Sequence, residues 1–329
     1  MREDDGVRTF MGLSFRKASY EPGVVEFGNG SFAYLQPDSG WGFSNAGLVT
    51  DGGEALLVDT MFDTAHTVAM LDGFKRVSAA KIGTLVNTHH NGDHCYGNAC
   101  VEGCQIISTI AAAEAMRHET PRGLAQFMKA APGLGLTGEY LIHCFGDFDF
   151  ENTAFRAPDQ TFTGHTTRQV GGKKVELIEV GPAHTGGDAL VHVPADKTLF
   201  TGDILFIDGH PIMWAGPVEN WIAACETIMA MDVDTIVPGH GPITDKKGVA
   251  RVRDYLSYIS DEAKKRYDSG MGAFEAARSI ALDDYAGWGD GERIAVNVAS
   301  LYREFGAKDT PSDAATLFGW MAQIWKDRK

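Results

Sequence analysis

The stretch Thr88-His89-His90-Asn91-Gly92-Asp93-His94 follows directly on the β-rich run Ile82-Gly83-Thr84-Leu85-Val86-Asn87. An apolar strand thus ends in three imidazoles and a carboxylate around a small turn residue. Imidazole and carboxylate are the side chains that zinc, iron and manganese prefer. The competing reading is a polar strand-end loop without ligands, and the density of His and Asp argues against it.

Outward from this loop the pattern is that of an α/β protein. Upstream, residues 31–36, 45–50 and 55–60 read as short strands separated by the turn chemistry of Pro37-Asp38-Ser39-Gly40 and Asp51-Gly52-Gly53. Residues 1–30 read as a polar, glycine-containing lead-in. Asp63 to about Ala80 carries Val68, Ala69, Leu71, Phe74 and Val77 at helical spacing. Strand, helix and strand make a βαβ unit whose second strand delivers the histidines at its carboxyl end, where α/β sheets bind ligands.

Downstream, Cys104–Ser108 reads as a strand. Residues 109–143 read as a helical insertion, broken at Pro121 and Pro132-Gly133, with His118 and His143 as surface or packing residues. Strands return at 160–162, 168–170, 175–180, 189–193 and 198–203. A helix over 217–231 and a strand over 234–237 follow. Beyond Pro242 the period is helical throughout, so the expected division is 1–250 for the main domain and 251–329 for a C-terminal helical extension. The apolar faces of that extension suit either a homodimer contact or packing on the main domain.

Composition narrows the function classes. The chain has 329 residues, 44% of them hydrophobic, and a net charge of -15. No basic run offsets that acidity, which counts against nucleic acid and anionic membrane partners and leaves a small-molecule substrate. Five cysteines without a regular framework read as free thiols in a reducing compartment. The first residues, Met1-Arg2-Glu3-Asp4-Asp5-Gly6, lack an apolar leader, and no run approaches a membrane span, so a cytoplasmic location is expected.

Three later segments share the grammar of the opening loop: a strand ending in glycine-rich turn residues that carry one ligand-type side chain. They are Val180-Gly181-Pro182-Ala183-His184-Thr185-Gly186-Gly187-Asp188, Phe200-Thr201-Gly202-Asp203 and Val237-Pro238-Gly239-His240-Gly241. Each alone is weak; four in this order are specific. Over roughly residues 30–245 the chain resembles the metallo-β-lactamase superfamily, which reads His-x-His-x-Asp-His, then a His, an Asp or Cys, and a final His. The resemblance implies an αβ/βα sandwich with a metal pair at one edge. It implies a first metal at His89, the position of Asn91, and His184, and a second at Asp93, His94 and His240, with Asp203 bridging.

Asn91 is the departure, since the family has histidine there and an amide oxygen is a weaker ligand than imidazole. Three arrangements suit it. One is a mononuclear centre at Asp93, His94, Asp203 and His240. Another is two metals with Asn91 or water completing the first shell. In the third, His90 is recruited in its place. One or two zinc ions per chain are expected, with manganese or iron as alternatives.

The resemblance further implies a metal-dependent hydrolase that uses a metal-bound hydroxide to open a lactone, ester, thioester or amide, with Asp93 as the catalytic carboxylate. Trp41, Phe43, His210 and Trp214, near the loops, are candidate substrate-binding residues for a rather hydrophobic molecule, although Trp41 and Phe43 suit a folded-back hydrophobic plug equally well. The reading from another class is a mononuclear iron-dependent oxygenase of the persulfide dioxygenase type, which a weakened first site would also suit.

Overall fold

The computed structural model of the protein describes residues 7–10, 13–16, 20–36 and 40–328. Its larger sheet has seven strands in sequential order: β3 (Gly23–Gly28), β4 (Ser31–Leu35), β5 (Ala46–Asp51), β6 (Glu54–Val58), β7 (Lys81–Val86), β8 (Gln105–Thr109) and β9 (Gln160–Phe162). β3 to β6 run antiparallel and β6 to β9 parallel. The smaller sheet is β10 (His165–Val170), β11 (Lys173–Glu179), β12 (Ala189–Val193), β13 (Thr198–Phe200) and β14 (Thr235–Val237), with only the last pair parallel. A separate ribbon pairs β1 (Val7–Phe10) with β2 (Leu13–Arg16).

The polar, glycine-containing lead-in, to which the sequence reading assigns no strand, carries three strands. β3 escapes notice because it is a glycine-bounded edge strand with only one buried residue, so its alternation is faint. The turn expected at 37–40 lies, except for Gly40, outside the described residues.

Period-two alternation explains the layering. In β4, Phe32 and Tyr34 face one way and Ala33 and Leu35 the other; in β6, Ala55 and Leu57 oppose Leu56 and Val58. The first set packs on Met70, Leu71 and Phe74 of α1 (Thr64–Val77). The second meets Val175, Leu177, Val191, Phe200 and Val237 of the smaller sheet. On that sheet's far side Leu190, Leu199 and Ile236 pack with Trp221, Cys225 and Ile228 of α6 (Val218–Ala230). Helix, sheet, sheet and helix make the αβ/βα sandwich. The central strands β4, β6 and β12 are covered on both faces and so read as continuous apolar runs.

Shorter helices complete the chain: α2 (Gly92–Cys95), α3 (Ile110–Ala115), α4 (Pro121–Ala130) and α5 (Leu136–Phe145), the last three forming the insertion. The C-terminal region contributes α7 (Lys246–Asp268), α8 (Ala273–Ser279), α9 (Ile294–Glu304) and α10 (Ala314–Asp327). Asp313 caps α10 by accepting from the Thr316 N–H. These helices build no separate core. Val252, Tyr255, Val298 and Met321 belong to one cluster with Trp221 and with Tyr140 of the insertion. All five cysteines are free. No described helix is long and apolar enough to cross a membrane.

Close approach of the two sheets rests on Gly47, where an added Cβ would fall 2.2 Å from the Phe200 ring. Gly47→Ala should therefore destabilise the protein by about 1–3 kcal/mol through overpacking. Urea denaturation would measure it, and Phe200→Leu in the Gly47→Ala background should recover part of the loss.

Candidate metal centre

Every sequence-predicted ligand lies just beyond a strand's carboxyl end, at one edge of the sandwich. His89, Asn91, Asp93 and His94 follow β7, His184 lies between β11 and β12, Asp203 follows β13 and His240 follows β14. Two backbone contacts draw these ends together. Gly239 N–H donates to the Gly202 carbonyl at 2.8 Å, and Ala189 N–H donates to the Thr88 carbonyl at 2.9 Å. Any Cβ at Gly239 would sit 2.0 Å from Asp203 Oδ1, so glycine is required there.

Four imidazoles are turned the same way. His94 Nδ1 is 3.0 Å from Asp59 Oδ2, His184 Nδ1 is 2.6 Å from the Ile212 carbonyl, and His240 Nδ1 is 3.1 Å from the Phe43 carbonyl. His89 Nδ1 meets Thr88 Oγ1 at 3.0 Å, and that hydroxyl donates to Asp59 Oδ2. Each Nδ1 therefore donates, and each neutral ring presents its Nε2 lone pair to the centre.

Asp203 sits between them. Its Oδ2 is 3.6 Å from His89 Nε2 and 3.3 Å from His184 Nε2; its Oδ1 is 3.1 Å from His94 Nε2 and 3.5 Å from His240 Nε2. Asp93 Oδ2 closes the second group at 3.2 Å from His240 and 3.8 Å from His94. Donors ~2.1 Å from a tetrahedral cation stand about 3.4 Å from one another. The second group has that spacing throughout. His89 Nε2 and Asp203 Oδ1 are also buried without a hydrogen-bond partner, which a cation would supply. The donor set fits divalent metal. Taken by proximity of three ligand atoms, the groups are His89, His94 and Asp203, and Asp93, His94 and His240, so His94 lies between the two positions.

Asn91 behaves differently. Its side-chain amide lies 2.7 Å from His184 Nε2, well inside the spacing of two ligands on one ion. The atom facing His184 is Asn91 Oδ1; with His184 Nδ1 donating to the Ile212 carbonyl, the amide turned end for end would donate its N–H to the ring's lone pair. The first position is thus held by a side-chain hydrogen bond. His90 stands outside both groups, with Nε2 3.3 Å from Glu119.

Electrostatics follow from burial and mutual charge. Burial alone would raise Asp93, but His94 and His240 outweigh it and hold the carboxyl below its usual range. Burial would lower His240, but Asp203 and then Asp93 push it up to about 9. His184 is lowered to about 4, chiefly by burial.

The centre forms one wall of a cavity of about 760 Å³ that also includes Trp41, Phe206, Trp214 and Phe318. Of the four substrate candidates, Trp41 and Trp214 line it and two do not. Phe43 is 5% exposed and packs on Phe148, so its contribution is the backbone carbonyl that orients His240. His210 is fully buried against Tyr255 and Trp288 of the C-terminal region. Loop position in the sequence suggested exposure for both, and the aromatic core claimed them instead.

Sequence reasoning missed Asp59. It adopts a left-handed φ of 62°, which turns its carboxylate to accept from Thr88 N–H and Oγ1–H at 2.7 Å each and to hold His94. Its signal was a strand-end Asp, the same grammar as Gly202-Asp203. Asp59→Ala should weaken metal binding about 10–100-fold with the fold retained, as competition with a chromophoric chelator would show. In protein stripped by a chelator, protons on His94 and His240 oppose the metal. Because His240 is raised, affinity should climb with pH until about 9. Proton release on zinc addition, read by calorimetry in buffers of different ionisation heat, checks this.

Comparison with known proteins agrees with this geometry. The family model of the metallo-beta-lactamase superfamily matches residues 39–240. A linear primary-alkylsulfatase of Pseudomonas sp. (strain ATCC 19151) is 23% identical over 254 residues, 69% of this chain and 48% of its own. A hydroxyacylglutathione hydrolase of Rhizobium meliloti is 26% identical, covering 53% of this chain and 54% of its own. The chain spans about half the length of these curated relatives. Among solved structures, a stereoselective inverting sec-alkylsulfatase from Pseudomonas sp. superposes with TM-score 0.64 at 15% identity, over 87% of this chain and 50% of that one. A metallo-beta-lactamase from Pontibacter korlensis gives TM-score 0.55 at 21% identity, over 72% and 99%. With its family match spanning well over half its length, the chain belongs to the metallo-β-lactamase superfamily.

Proposed function

We propose that the protein is a metal-dependent hydrolase that cuts an ester, thioester, lactone or amide bond in a small, largely apolar molecule. The observation that carries this reading is the pair of buried ligand groups sharing His94 on the wall of an aromatic cavity. A divalent cation held there supplies Lewis-acid polarisation and lowers the pKa of a bound water from 15.7 toward about 7. Zinc suits the mixed imidazole and carboxylate set, and the better-spaced second group is the tighter position.

The chain's own residues do the rest. Asp93 lines the cavity, is ionised at neutral pH and is placed to hold a proton between nucleophile and leaving atom. Trp41, Phe206, Trp214 and Phe318 form apolar walls that exclude water from the reacting bond. His184 and His240, fixed through Nδ1, keep the floor rigid. The relatives named as a sulfatase and a hydrolase add support for hydrolysis, and no observation favours the iron oxygenase.

Metal analysis by mass spectrometry and a panel of chromogenic esters, thioesters and lactones test the proposal. Asp93→Ala should lower kcat/KM at least about a hundredfold while circular dichroism stays native; full retained activity would sink the assigned role. Asn91→His should raise the zinc count toward two, since imidazole replaces a weak amide ligand.

A further inference from the structure

Resting on the hydrolase reading, we propose that Arg293 is an anion-reading residue of the cavity. The substrate is then an amphipathic carboxylate, an apolar body whose acid group lies away from the bond that is cut. Arg293 sits in the turn preceding α9, is 2% exposed, and lines the same cavity as Asp93, His184 and His240. It is the only lysine or arginine among the described residues of that lining.

Its guanidinium is held in place but not used up. One terminal nitrogen donates to the His210 carbonyl at 3.0 Å, and the other pairs with Asp290 at 3.0 Å. The Nε–H is buried without a partner. The guanidinium carbon lies 4.6 Å from the centre of the Trp41 ring and 5.3 Å from that of Phe206. Trp41 Nε1–H is a second buried donor without a partner. Two orphaned donors thus stand side by side on one cavity wall, and a buried donor left unpaired is costly.

An acceptor entering this wall would satisfy both. Phe206 also stacks on His240, at 5.0 Å and 2° between planes, so one aromatic ring separates the guanidinium from the metal centre. That spacing puts the anion beside the reacting bond rather than on it. A planar carboxylate matches the edge of a guanidinium. The lining's acids Asp93, Asp203 and Glu119 favour one negative charge on the ligand over two. Both donors are shielded from bulk water, so the ligand must part the Trp41–Arg293 stack. Binding should therefore change tryptophan fluorescence.

The test uses two readouts. Protein stripped of metal by a chelator is titrated with hexanoate and with hexanamide, following fluorescence. Metal-loaded enzyme is assayed on mono-4-nitrophenyl glutarate and 4-nitrophenyl butyrate. Hexanoate should bind at least about tenfold more tightly than the amide, the scale of a charge-assisted hydrogen bond. Arg293→Gln should erase that preference and lower the acid-to-neutral ratio of kcat/KM by a similar factor, and Arg293→Lys should restore part of it. Should Arg293→Gln fail to fold, the wild-type acid–amide comparison and Arg293→Lys decide. Equal binding of acid and amide, or an unchanged ratio in Arg293→Gln, overturns the anion site and leaves the hydrolase reading standing. Acid preference without hydrolysis of either ester or of any acidic or neutral thioester, lactone or amide overturns the hydrolase reading and leaves the anion site standing.

Discussion

The structure depends on the convergence of four strand ends around the buried carboxylate of Asp203. A carboxylate 4% exposed with four imidazoles within 3.6 Å is tolerable only where positive charge compensates it, either protons on the rings or a metal. That requirement dictates Gly239, which lets the ends of β13 and β14 touch, and Gly202, where a Cβ would collide with Thr88. It also dictates the Nδ1 acceptors Asp59, Ile212 and Phe43, which turn each ring inward. The two sheets are pinned at this edge by the same demand. Asn45 donates to both the Pro238 and Gly241 carbonyls and so locks β5 to the His240 loop.

The two candidate metal positions are not equivalent. The second is framed by charged donors at ligand spacing, whereas the first includes an amide that hydrogen-bonds to the histidine it would share an ion with. A neutral amide neither repels its neighbour nor competes strongly for a cation, so Asn91 converts a ligand position into a structural contact. His90, next to it in sequence, faces Glu119 instead.

Function on this fold is shaped by what roofs the edge. The insertion and the C-terminal helices meet where α5 packs on α10 and Tyr140 donates to Glu292 at 2.9 Å. Through that contact Arg293 and Phe318, far away in the chain, reach the same cavity as Asp93, Asp203 and His240. The cavity thus joins a floor of ligand-type residues with walls supplied by the insertion and the C-terminal region.

The sequence by itself determined an α/β order of strands and helices and the identity of the ligand-type residues. The sandwich followed from the resemblance those residues carry. Apolar runs bounded by Gly, Pro and Asp specify strands, and a ligand after a strand end can be read locally. It determined much less where the signal was faint, as in β3, whose half-exposed edge pattern has little alternation. Tertiary structure alone decided the rest. Asp59 became a support for His94 only once β6 and β7 paired in parallel. Phe43 and His210 went to the core because aromatic neighbours from distant segments covered them. Arg293 reached the cavity through packing across more than a hundred residues of chain. Such long-range contacts leave no local periodicity, because what fixes them is burial shared between elements that only the folded chain brings together.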